Sequence, residues 1–107
     1  MRISGFFVVA FMTAVTPAVA GEIDIEVDNF TAERGISELV LRVINNTATE
    51  VSDVFIDCVF MTEDERAIDI GKALIPAIAA GGTKFDKAAI ATTDGVAKAL
   101  CEVVSYR

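Results

Sequence analysis

Residues 54–61 read Val-Phe-Ile-Asp-Cys-Val-Phe-Met, and their spacing decides the fold class. In an extended chain Val54, Ile56, Cys58 and Phe60 share one side, and Phe55, Asp57, Val59 and Met61 share the other. β-Branched and aromatic residues dominate, and the run is shorter than an ordinary helix of about 10–12 residues. Apolarity on both sides marks a strand central to its sheet. The acidic run Thr62-Glu-Asp-Glu-Arg66 that follows reads as the turn ending this strand.

Outward from this strand the same period recurs. Glu22-Ile-Asp-Ile-Glu-Val-Asp28 alternates strictly, with Ile23, Ile25 and Val27 against four carboxylates. That is a half-buried strand with a charged outer face. Asn29 to Gly35 reads as a loop. Ser37–Ile44 is the next strand, with Leu39, Leu41 and Val43 inward and Arg42 outward. Asn45-Asn46-Thr47 ends it, and polar residues run on to Asp53. Ala67–Ile78 reads as one or two strands interrupted by Gly71 and Pro76, since proline donates no ladder hydrogen bond. Gly81-Gly82 and Thr92-Thr-Asp-Gly95 are turns on either side of Thr83–Ala91. Ala97–Tyr106 closes the chain, with Ala97, Ala99, Cys101 and Val103 on one face. Six or seven short strands with frequent turns predict an all-β sandwich. The alternative is an α+β fold with a C-terminal helix, because the alanine-rich stretches from Phe85 also fit helical spacing.

The amino terminus reads MRISGFFVVAFMTAVTPAVA, with Arg2 before a short apolar core and Ala18-Val19-Ala20 as a cleavage site. This is the plan of a secretory signal peptide over residues 1–20, and residues 21–107 are then one small domain. The apolar core is short for crossing a bilayer of about 30 Å. Cys58 and Cys101 both fall in the mature part, and an even count in an exported chain predicts a disulfide between them. Asn29-Phe-Thr31 and Asn45-Asn-Thr47 spell glycosylation sequons.

The chain has 9 basic and 16 acidic residues and no histidine; setting aside Arg2 leaves 8 against 16, a charge of −8. That balance opposes binding to nucleic acid and to anionic membranes. Without histidine, a thiolate or serine nucleophile lacks its usual base, and zinc lacks the common ligand sets. Glu63-Asp64-Glu65 lacks the spacing of a calcium loop. No catalytic, cofactor-binding or metal-binding residue is expected, and no cofactor.

Val43-Ile-Asn-Asn46 ending one strand, Val54-Phe-Ile-Asp-Cys-Val-Phe60 before an acidic turn, and Ile78-Ala-Ala-Gly-Gly82 before Thr83-Lys-Phe85 resemble small exported bacterial immunoglobulin-like domains near the FxLYD type. The F-x-L-Y-D signature itself is absent. The resemblance implies a Greek-key β-sandwich at the cell envelope and carries no catalytic residue. The expected function is a non-enzymatic protein-interaction domain, periplasmic or secreted, whose partner is another envelope or secreted protein. The alternative is an acidic inhibitor or chaperone-like binder of a basic exported enzyme. Phe55, Val59 and Met61, on the side of the third strand away from Cys58, are the candidate partner-binding patch.

Overall fold

The computed structural model describes residues 21–107, together with the backbone of Phe6–Ala10 and Thr16–Pro17. The expected leader otherwise lies outside the described residues. These two backbone strands are β1 and β2. In residues 21–107 the strands are β3 (Ile23–Glu33), β4 (Ile36–Asn45), β5 (Val51–Met61), β6 (Ala67–Ile78), β7 (Thr83–Ile90) and β8 (Lys98–Ser105). No helix occurs among the described residues, so the alanine-rich Lys98–Ser105 is a strand and the α+β alternative is overturned. Its alternation of Ala99, Cys101 and Val103, all fully buried, outweighs its alanine content.

Two antiparallel sheets form a β-sandwich. One has the order β3-β4-β7; the other is β8-β5-β6, lengthened beyond β8 by β1 and β2. The links β4–β5, β6–β7 and β7–β8 each change sheets, so strands far apart in sequence become neighbours, a Greek-key connection. The inward faces interdigitate as the alternation predicts. Ile23 and Ile25, Leu39, Leu41 and Val43, Val54, Ile56 and Phe60, and Val103 are all buried. The disulfide between Cys58 and Cys101 lies in this core, with Cα atoms 4.0 Å apart. It joins two residues directly opposite each other on β5 and β8.

Two local features depart from the expected boundaries. The chain from Asn29 to Glu33 is strand and not loop. A β-bulge between Val27 and Asn29 shifts the alternation by one residue, so Phe30 takes the inward place opposite Leu39. The hairpin then turns in two residues, Arg34 and Gly35, both with positive φ (55° and 76°). That conformation matches the twist of the strands and suits glycine. At the other end of β4, strand β5 begins at Val51, earlier than the polar residues there indicate.

Ala67–Ile78, expected as one or two strands, is one continuous strand that runs through Gly71 and Pro76. Pro76 is tolerated because β6 lies at the edge of its hydrogen-bonded sheet. Gly71 serves close approach: a Cβ there would lie 2.9 Å from the backbone N and O of Ala89 and 3.1 Å from Phe60 Cε1. At this point β6 presses against β7 and the two sheets meet along one side. The amide of Leu74 donates to Asp86 Oδ2 at 3.0 Å across the same seam.

Asn45 is the polar counterpart of this seam. It is fully buried, and its Nδ2 donates to the carbonyls of Thr49 (2.9 Å), Ile78 (3.0 Å) and Ala79 (3.1 Å). Its Oδ1 accepts from the Thr47 amide at 2.9 Å and from the Thr47 hydroxyl at 2.6 Å. One side chain thus ties the β4–β5 link to the end of β6. Sequon residue Asn45 is therefore inaccessible in the fold, whereas Asn29 is exposed.

Replacing Asn45 by alanine leaves several buried polar groups without partners. A loss of about 3 kcal/mol in denaturant-derived stability is expected. Gly71→Ala is expected to cost about 1–3 kcal/mol, because the added methyl meets backbone that cannot yield.

Candidate functional site

The outer face of the β8-β5-β6 sheet is unusual for its apolar content. Across β5 and its neighbours, the register places Ser105, Phe55 and Leu74 side by side. Glu102, Asp57 and Lys72 form the next row, and Leu100, Val59 and Ile70 the one beyond. The Lys72 ammonium reaches the Asp57 carboxylate at 3.1 Å, so two members of the polar row pair with each other. Phe55 is 46% exposed, Leu74 48% and Ile70 48%. Side chains of this size bury well when a partner offers the chance, and clustered exposure of them marks interaction surfaces.

Of the sequence-predicted patch, Phe55, Val59 and Met61 all lie on this side of β5, since Met61 pairs with Lys98 two places beyond Val59 and Leu100. Met61 is nevertheless covered, only 9% exposed. The bulge beside it falls on β6, where Ile68 is the extra residue between Ala67 and Asp69, so the alternation of β5 is unbroken there. Alternation assigns a side of the strand and not what lies over it. Ile70 and Leu74 join the patch instead, because the continuous β6 strand sets them beside Val59 and Phe55.

The apolar surface continues around the seam. Leu74, Ile75, Pro76 and Ala77 of β6 and Lys84, Phe85 and Asp86 of β7 line an open groove of about 330 Å³. Phe85 is 58% exposed, the most exposed large apolar side chain on these strands. One side of its ring faces the Arg42 guanidinium, 5.9 Å from the ring centroid. Arg42 in turn pairs with Glu26 at 3.2 Å and Asp28 at 3.3 Å. Phe55, Leu74 and Phe85 thus form a strip over three strands of two sheets, flanked by Lys72, Lys84 and Asp86.

The acidic features are structural. Glu26 and Asp28 hold Arg42, and Asp24 accepts from the Gly21 amide at 2.8 Å and from Asn46 Nδ2 at 2.7 Å. The Thr62–Arg66 turn closes through the Thr62 amide to the Arg66 carbonyl (2.9 Å) and the Glu65 amide to the Thr62 carbonyl (3.0 Å). Its carboxylates turn to nearby cations: Arg66 lies 3.3 Å from Asp64, and Lys98 lies 3.5 Å from Glu65. Among the described residues, no group of three histidine, cysteine, aspartate or glutamate side chains is arranged to hold a metal ion.

Comparison with protein-family models, with curated proteins and with solved structures finds nothing that matches this chain. The case for a function therefore rests on the surface just described.

The Thr62 hydroxyl donates to Asp64 Oδ1, and this bond, aided by the Asp64 amide, holds the Asp64 carboxyl below its ordinary 3.8. A carboxyl lowered by folding contributes stability above its unfolded value and loses it as pH falls through the folded one. In an NMR titration Asp64 is expected to titrate below 3.8, and Thr62→Ala to move its midpoint upward.

Proposed function

We propose that the protein is exported and acts at the cell envelope as a non-enzymatic interaction domain, with the Phe55–Leu74–Phe85 strip as its partner-binding surface. The observation that carries this reading is the strip itself: three large apolar side chains, roughly half exposed, on adjacent strands of a rigid sandwich. The disulfide supports an oxidising compartment, where such bonds form and persist. The leader-like amino terminus and the resemblance to FxLYD-type immunoglobulin-like domains point the same way. The partner is an envelope or secreted protein that offers an apolar face. The charge of −8 favours a basic surround to that face. A second reading rests on that charge alone: an acidic inhibitor or chaperone-like binder of a basic exported enzyme.

Partner capture from envelope extract tests the first reading with the triple variant Phe55→Thr, Leu74→Thr, Phe85→Thr. Capture is expected to fall at least about tenfold, since central apolar anchors dominate binding energy. Stability is expected to change by no more than about 1 kcal/mol, as these are surface positions. A partner retained by the triple variant would remove the strip from the account. Capture by the unaltered protein that survives about 1 M salt supports an apolar contact; capture lost over that range supports the acidic-binder reading.

A further inference from the structure

The four sheet edges that bound the sandwich of residues 21–107 differ in how they are protected. An edge strand presents unpaired amide and carbonyl groups and templates pairing with another chain unless it is guarded. The edges of β6 and β7 close on each other at the seam, where Leu74 bonds Asp86 and Gly71 meets Ala89. The edge of β3 carries Asp24, Glu26 and Asp28, and is bent by the bulge between Val27 and Asn29. Both devices discourage strand addition.

Along Lys98–Glu102 the outer edge of β8 has no bulge, the one in its pairing with β5 falling beyond, at Val104, and its charges are Lys98 and Glu102 at the two ends of that length. Lys98–Ser105 contains no proline and no glycine, and Glu102 is its one carboxylate. Its inward residues Ala99, Cys101 and Val103 are fully buried, and the disulfide holds it in register on β5. One end is closed by the Tyr106 hydroxyl, which donates to Glu22 at the start of β3. What remains open is the length from Lys98 to Glu102.

The full chain shows what fits there. The backbone of β1 pairs antiparallel with β8 from Phe6 opposite Glu102 to Ala10 opposite Lys98. The segment is Phe-Phe-Val-Val-Ala, uncharged and apolar throughout, and it lies within the stretch read above as a leader. Removing the leader bares this edge over the length of β1. We infer that in the cleaved chain the outer edge of β8 is a strand-accepting site, filled by an extended apolar segment of another protein in the antiparallel register that Phe6–Ala10 takes. Main-chain hydrogen bonds supply the affinity in this mode, and alternate side chains supply the selectivity. This inference rests on export with leader removal and is independent of the Phe55–Leu74–Phe85 strip.

Hydrogen exchange at the β8 amides tests it. Residues 21–107 hold the core cluster of the described residues and the disulfide, so the main packing of the two sheets lies within this part. Amides facing the outer edge between Lys98 and Glu102 are expected to exchange at least about tenfold faster in residues 21–107 than in the full chain. A soluble peptide carrying Gly5–Phe11 between lysines, added to residues 21–107, is expected to restore the slow exchange. The same peptide with Val8→Pro, which removes a ladder donor, is expected to restore less. Unchanged exchange on removing residues 1–20, or on adding the peptide, would overturn the inference. So would slow β8 exchange accompanied by a dimer in sedimentation, which would make a second copy the occupant. Loss of protection at Leu41 and Ile56 in residues 21–107 would also overturn it, by making Phe6–Ala10 part of the core fold.

Discussion

The cross-strand pair of Cys58 and Cys101 is the constraint on which the rest of the sandwich depends. After β5 the chain forms β6, changes sheets for β7, and returns as β8 with a sequence separation of 43 residues between the cysteines. Bringing so distant a strand back to its place is the costly step in a fold of non-local contacts. The disulfide removes much of that cost from the unfolded chain and leaves one register available to β8. It joins neighbours within one sheet, whereas the disulfide of antibody domains joins two sheets. Its effect is thus on strand order and register more than on the spacing of the layers. A domain of this size buries a modest fraction of its surface and gains much from a covalent link.

The layers are fixed to each other at the β6–β7 seam. Gly71 lets two backbones approach, and Asp86 accepts from the Leu74 amide. Asn45 satisfies three carbonyls at the end of the sandwich where β4 gives way to β5. These contacts seal one side. The opposite side, between β3 and β8, is joined by Tyr106 and Glu22 at one end. The sandwich is therefore asymmetric, with a closed seam that supports an apolar strip and a more open seam along β8.

Much of this was legible in the sequence because burial in a sandwich follows a period of two. The inward residues of β4, of β5 from Val54 to Phe60 and of β8 from Ala99 to Val103 alternate, and the facing cysteines declared their own pairing. At Asn29–Glu33 a bulge on β3 adds one residue and reverses the faces beyond it, and the segment read as loop. Met61 lies on the side the alternation gives it, and its burial is not something alternation reports. Gly71 and Pro76 read as breaks because their roles are set by β7 and by an edge position, neither of which is local. The strip was half visible for the same reason. Phe55 and Val59 stand out within one strand, but their union with Leu74 and Phe85 arises only when β6 and β7 meet.

The proposed function draws on this rigidity. A sandwich pinned by a disulfide and a sealed seam holds Phe55, Leu74 and Phe85 in fixed positions, so the proposed partner would not have to order them on binding. The measurement that tests the central claim most directly is the stability of the purified protein by denaturant titration, oxidised and reduced, with thiols counted in each state. The account predicts no free thiol before reduction and a loss of about 4 kcal/mol after it, the value expected for a loop of this length. Two free thiols in the untreated protein, or equal stability in the two states, would contradict it.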